Sequence, residues 1–223
     1  VCQACHTHFV NDVTDDSPDG RLRASWIRFV SADTELFDRI VVRHRERHRH
    51  YHRLEHVDSV VGHLEALVAD EGLGVHDHGL TVAAAMYHDA IYEPRSAANE
   101  RASARLARKD LASMGWSPQR IEAVATMIEG TSDHLTPADA ATAVLFDADL
   151  AVLGSDSHTY EGYRAAVRRE YHHVPDNDWV SGRADVLRAF LDRAAIYATD
   201  SGHDHWEQAA RHNLTDELES LAS

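Results

Sequence analysis

The segment PADAATAVLFDADLAVLG, from Pro137 to Gly154, is apolar on nearly every side of the helix that its spacing predicts, yet it encloses Asp147 and Asp149. A helix with no polar stripe has to be surrounded by other elements, so this one is expected at the centre of the fold. Thr136-Pro137 reads as an N-cap followed by proline, with Asp139 completing a capping box, and Gly154 reads as the stop. Asp149 shares a face with Leu145, Val152 and Leu153 by three- and four-residue spacing, which directs its carboxylate into the core. A charge there must be paired, neutralised or bound to a metal. Capping a neighbouring helix or pairing with an arginine would serve as well as a metal, and at this point the alternatives stay open.

The rest of the chain supplies the surrounding layers. Leu54, Val57, Val60, Val61, Leu64, Leu67 and Val68 recur at helical spacing up to Gly72; Leu80 to Tyr92 forms a second helix stopped near Pro94. Ala102, Leu106, Leu111 and Met114 mark a third, and Ser117-Pro118 caps one over Gln119 to Glu129. Three more are expected near 157–172, 178–198 and 204–221. No strand-like alternation bounded by hairpin turns interrupts this pattern, so the fold class is all-α. Residues 1–20, ending NDVTDDSPDG, are acidic and turn-rich and read as a mobile tail; 21–223 read as one helical domain.

A net charge of −15 opposes a role in wrapping double-stranded nucleic acid, where phosphate neutralisation dominates affinity. Lys109 is the single lysine, so nearly all positive charge is arginine, suited to two-pronged grip on phosphate or carboxylate. No apolar run is long enough to span a membrane, and VCQACHTHFV has no basic leader, so a cytoplasmic location is expected; self-association into a homo-oligomer stays open. The Cys2-x-x-Cys5-His6-x-His8 stretch superficially matches haem attachment or half a zinc site, and is assigned no function.

Three His-Asp pairs occur among 18 histidines. His76-Asp77 and His203-Asp204 follow glycines and read as solvated turns. His88-Asp89, in AAAMYHDAIYEP, instead ends a run that would be buried. His56 lies four residues before Val60, on or beside the apolar face of its helix. A lone histidine there is ordinarily a satisfied core residue. Together, two neutral imidazoles and two carboxylates from separate helices balance a divalent cation and offer it mixed nitrogen and oxygen ligands.

The order His, His-Asp, Asp on successive helices resembles the HD superfamily of metal-dependent phosphohydrolases. RHYHRLEHV, YHDAIYEP with NERASA, LFDADLAVLG and GRADVLRAFLDR are similar to a bacterial branch described as predicted HD phosphohydrolases, over about Arg49 to Leu218. The resemblance implies a helical-bundle HD domain with additional C-terminal helices. It implies one divalent ion (Mn, Mg, Fe, Co, Ni or Zn) held by His56, His88, Asp89 and Asp149. Asp149 is selected over Asp147 because the family's last ligand closes an Ala-Asp pair. The implied reaction is hydrolysis of a phosphate ester of a small metabolite or nucleotide, with Asp89 in the catalytic machinery.

RHRERHRHYHR precedes His56, and within it Arg49, Tyr51, His52 and Arg53 are candidate substrate contacts. Arg49 and Arg53 are expected to bind the anion without supporting the fold. Many HD nucleotidases carry a proton-transferring glutamate three residues after the ligand aspartate; here that position is Tyr92. Glu100, with Asn99 beside it as a substrate contact, is the alternative acid-base group, and His134 is a further catalytic candidate. Two other readings stand beside hydrolysis: a regulatory module binding a nucleotide without turnover, and a two-iron oxygenase. The last needs two further histidines between His88-Asp89 and Asp149, where His134 is the one present. Without metal, the two carboxylates are expected to repel, so that Asp89→Asn leaves the apo fold intact or more stable.

Overall fold

The computed structural model describes residues 15–222, so the cysteine-containing stretch and most of the expected tail lie outside the described residues. Those described form ten α-helices and no strand: α1 (Pro18–Phe29), α2 (Thr34–His44), α3 (Leu54–Asp70), α4 (Val75–Tyr87), α5 (Asn99–Ser113), α6 (Pro118–Gly130), α7 (Ala140–Leu150), α8 (Ser157–Glu170), α9 (Asp176–Leu191) and α10 (Asp200–Leu221). A 3₁₀ turn, Ala151–Gly154, follows α7. The all-α expectation holds. None of these helices is long and apolar enough to cross a membrane.

The segment without a polar stripe is central, as its composition requires. Every residue of α7 from Ala141 to Ala148 is buried, as is α4 from Gly79 to Tyr87. These helices pack on each other and on α3, with α6 against α4 and α5 against α6. α1 closes α3 and α4. Trp26, Phe37, Leu64, Met86, Leu111 and Leu145 lie in this first core. A second core, Leu150, Leu153, Tyr160, Leu187, Ile196, Tyr197, Ala210 and Leu214, joins the 3₁₀ turn to α8, α9 and α10. Trp206 packs against both. Gly154 permits this approach, since a Cβ there would lie 2.9 Å or less from the backbone of Trp206.

Several boundaries differ from those the sequence predicts: the starts of α1 and α7 are set by local caps, and the ends of α4 and α9 by side chains remote in sequence. Residues 18–20 belong to α1, whose N-cap Ser17 accepts from Gly20 N, so the helix begins inside the expected tail. α7 begins at Ala140, not after Thr136, because Asp139 is the cap and accepts from the amide and hydroxyl of Thr142. α4 stops at Tyr87 rather than Tyr92: Ser103 bonds both the N–H and the carbonyl of Ile91, and Arg49 takes the carbonyls of Asp89 and Ala90. α9 stops at Leu191 rather than near 198. There Arg211 grips the carbonyls of Leu191, Arg193 and Ala194, and Glu207 accepts from the amides of Ile196 and Tyr197.

Asp147 illustrates the second use of a buried acid. Its Oδ1 accepts from Ala198 N at 2.7 Å, and its Oδ2 from Thr199 N at 2.8 Å and Thr199 Oγ1 at 2.7 Å. It therefore seals the start of α10, and Gly202 leaves the room, since a Cβ there would sit 2.3 Å from Asp147 Oδ2. Burial nevertheless pushes the carboxyl upward against these hydrogen bonds. Asp147→Ala is expected to cost about 3 kcal/mol, since a charged acceptor and three donors lose their partners. Urea unfolding measures this, with metal stoichiometry expected to remain that of the wild type.

Candidate metal centre

Three helix ends meet at one point. His56 is in the first turn of α3, His88 caps the C-terminus of α4 with Asp89 following it, and Asp149 is next to last in α7. His56 Nε2 and His88 Nε2 face each other at 3.1 Å. Asp149 Oδ1 lies 3.1 Å from His56 Nε2 and 3.5 Å from His88 Nε2. Asp89 Oδ2 lies 3.1 Å from His88 Nε2 and 3.5 Å from His56 Nε2. His56, His88 and Asp149 thus form a group able to hold a metal ion, their ligating atoms all within 4.8 Å of one another.

The donor chemistry fits such an ion. Ligands ~2.1 Å from a metal stand about 3.0 Å apart at octahedral angles and about 3.4 Å apart at tetrahedral ones. The spacings of 3.1 and 3.5 Å fall in that range. His88 Nδ1 donates to the Ala85 carbonyl at 2.8 Å. A carbonyl can only accept, so Nδ1 carries a proton and the lone pair of the neutral ring is at Nε2, facing the cluster. Without an ion the same groups pair with one another. Burial works to lower both imidazoles, but the neighbouring carboxylates carry His56 above and His88 well above the ordinary 6.5. Burial likewise works to raise the carboxyls. The charge of His88 and hydrogen bonds from the imidazoles hold Asp89 and Asp149 well below 3.8.

Around the cluster, supports fix each group. His134 Nε2 bonds Asp149 Oδ2 at 2.9 Å, leaving Oδ1 turned to His56 and His88. His134 holds a left-handed backbone, φ 48°. Arg193 clamps that turn through the carbonyls of His134 at 2.8 Å and Asp133 at 2.7 Å. Glu170, buried at the end of α8, gathers the loop before α3: its Oε1 accepts from the amides of His50, Tyr51 and His52 at 2.7–3.1 Å. Its Oε2 bonds His52 Nδ1 at 2.7 Å and Tyr92 Oη at 2.8 Å. Tyr92 therefore serves as a support for Glu170. Tyr51, delivered by the same loop, lies with its ring centroid 4.7 Å from that of His56.

The structure thus brings His56, His88, Asp89, Asp149, His134, His52 and Tyr51 together. It does not bring the remaining candidates to the same place. Arg49 is buried behind the cluster: Nη1 donates to the carbonyls of Asp89 at 2.7 Å and His52 at 3.1 Å, and Nη2 to Ala90. Its charge meets Glu46 and the free carbonyls at the C-terminus of α4. The expectation that Arg49 binds anion without supporting the fold is therefore corrected. Arg49→Ala is expected to lower stability by about 3 kcal/mol, read as a fall in melting temperature, since the carbonyls beside Asp89 lose a buried cation.

Arg53 is half-exposed beside Glu55. Asn99 closes the loop after α4, accepting from Glu93 N and donating to the carbonyls of Glu93 and Ser96. Glu100 lies in the first turn of α5. None of these three lines the cavity beside the cluster, nor does Arg49. Sequence reasoning missed Glu170 and Arg193. Each acts from 59 or more residues away, and neither carries a local signal.

That cavity has a volume of about 520 Å³. His52, His134 and Asp149 form its polar end, and Thr131 and Ser132 border it; Tyr163, Val167, Trp179, Val186 and Phe190 extend it along α8 and α9. An ion in the cluster would therefore stand beside a partly open cavity of the size that holds small molecules. Among known proteins, no family model matches the chain, and no curated protein or solved structure is significantly similar to it.

Proposed function

We propose that the chain is a metal-dependent phosphohydrolase with a site of the HD type, in which His56, His88, Asp89 and Asp149 hold one divalent ion. The observation that carries this reading is the convergence of two imidazole nitrogens and two carboxylate oxygens at 3.1–3.5 Å, with His88 locked in the ligating tautomer beside a cavity. A bound divalent ion supplies Lewis acidity and lowers the pKa of water.

The protein side of the chemistry belongs to the residues around it. Asp149 is oriented through Oδ2 by His134, which also lines the cavity and is placed to meet a phosphate oxygen or a leaving group. His52 presents its other ring edge near the cavity while Glu170 fixes Nδ1. Hence His134 and His52, rather than Glu100, are the candidates for proton transfer. The described residues gather one group able to hold a metal, which favours a single ion over the two-iron reading.

Phosphate release from nucleotides, sugar phosphates and simple esters, run with Mn, Mg, Co, Ni and Fe alongside metal analysis, tests the proposal. One metal per chain with metal-dependent release is expected. Tight metal binding without release from any ester, together with saturable nucleotide binding, would instead favour the regulatory module.

A further inference from the structure

The metal chemistry leaves unexplained why the cavity continues so far beyond the cluster. On α9 the residues Trp179, Gly182, Arg183, Val186 and Phe190 follow helical spacing and face this space. Val186 keeps 45% of its surface exposed, so it is not spent on the second core. Tyr163 and Val167 of α8 form the opposite wall.

Charge separates the candidate occupants. The cavity lining holds one arginine, Arg183, and no lysine, and Arg183 is already matched: Nε and Nη2 donate to the buried Glu217 at 2.8 and 3.0 Å, and Nη1 to Tyr163 Oη at 3.2 Å. Nearby, Arg168 is held by the carbonyls of Tyr171 and Val174 and by Asp176, and Arg193 by the carbonyls of Asp133 and His134. Asp178 adds a negative charge to the lining. Beyond the phosphate that an ion at the cluster would meet, a triphosphate chain would bring further charges into this space with no free arginine or lysine to receive them. A single phosphate at the cluster, with an uncharged apolar remainder along α8 and α9, meets matching surfaces at both ends.

We infer that the site takes a phosphate monoester of an apolar alcohol of about aryl size, the apolar part resting on Val186, Phe190, Trp179 and Val167. This rests on the phosphohydrolase reading. It goes beyond that reading in excluding nucleoside triphosphates and in assigning α9 the choice of substrate.

The test compares 1-naphthylmethyl phosphate, methyl phosphate, AMP and ATP with Mn, using wild type, Val186→Asp, and Val75→Asp as a control on an exposed position outside the cavity. The naphthylmethyl ester is expected to exceed methyl phosphate and ATP by about a hundredfold in kcat/KM; a charge at Val186 should cut the naphthylmethyl-to-methyl ratio about tenfold. The control should leave that ratio as it is. Calorimetric binding of 1-naphthylmethylphosphonate, which is not hydrolysed, should weaken about tenfold in Val186→Asp. Preference for ATP or AMP, or a ratio that Val186→Asp does not change, would overturn the inference while leaving hydrolysis standing. If no ester is turned over with any metal, the hydrolase reading fails and the phosphonate decides the pocket alone. Binding weakened by Val186→Asp then sustains an apolar anion site, and absent binding overturns it.

Discussion

Under the proposed function, Asp89→Asn is expected to lower metal-dependent phosphate release by about a thousandfold or more, because the ion would lose an anionic ligand and the site part of its grip on it. Its effect on stability changes with metal and pH. The sequence alone predicts that removing one of two crowded carboxylates relieves repulsion in the metal-free protein. The structure alters that expectation: Asp89 Oδ2 faces His88 and His56 at 3.1 and 3.5 Å, so the metal-free cluster is a set of opposite charges. The imidazoles, raised above 6.5, contribute stability that is complete below 6.5 and is lost as pH rises through their folded values. The carboxylates, held below 3.8, contribute above 3.8 and lose it as pH falls through their folded values.

In chelator, wild type should therefore exceed Asp89→Asn in melting temperature most clearly between pH 3.8 and 6.5, and the gap should narrow at alkaline pH. With excess Mn the gap should instead widen as pH rises, since protons compete with the ion for the same atoms. Melting curves of both proteins at acid, neutral and alkaline pH, each with chelator and with Mn, test this. Equal shifts in both proteins under all conditions would remove the metal centre from consideration.

The second large effect is expected at Glu170. Replacing it with Ala strips five hydrogen bonds from a buried site: three amides, His52 Nδ1 and Tyr92 Oη all lose their acceptor. A loss of about 4 kcal/mol follows from breaking a buried charged network. Glu170→Gln keeps one oxygen for the amides and should lose roughly half as much. Burial works to raise the carboxyl, but His52 and the amides of the loop bring it down to about 2. Its contribution is present above 4.5 and disappears as pH falls through about 2, so wild type, but not Glu170→Gln, should show this acid-induced loss. Urea unfolding at several pH values measures it. Both variants should also lower kcat, because the same loop carries Tyr51 and His52 to the cluster.

What was legible in the sequence depended on whether the signal was periodic. The almost wholly apolar α7, the α3 face ending near Gly72 and the proline cap of α6 all follow from spacing and capping chemistry, because burial enforces them locally. Helix ends set by distant side chains were not legible: nothing near Tyr87 announces Ser103 or Arg49, and nothing near Leu191 announces Arg211. The site divides the same way. His56, His88, Asp89 and Asp149 stood out because ionisable groups interrupt apolar faces. Arg49 was misplaced because a basic run looks alike whether its guanidinium groups meet solvent, substrate or the carbonyls of another helix. Glu170 sits in RREYHH, where one more charge among many carries no mark of burial.

The position of Asp149 at the seam between the two cores has a consequence for local unfolding. His56 stands on α3, and His88 and Asp89 directly follow α4, both helices of the first core, whereas the cavity wall from Tyr163 to Phe190 is built mainly by α8 and α9 of the second. A metal ion and an apolar ligand would then stabilise different cooperative units. Amide hydrogen exchange should slow in α3, α4 and α7 on metal addition, and in α8 and α9 when a ligand fills the cavity. Under the proposed function, a fluctuation that loosens the C-terminal helices would open the way for substrate while the ion stays held, so that release of product and loss of metal would proceed by separate openings.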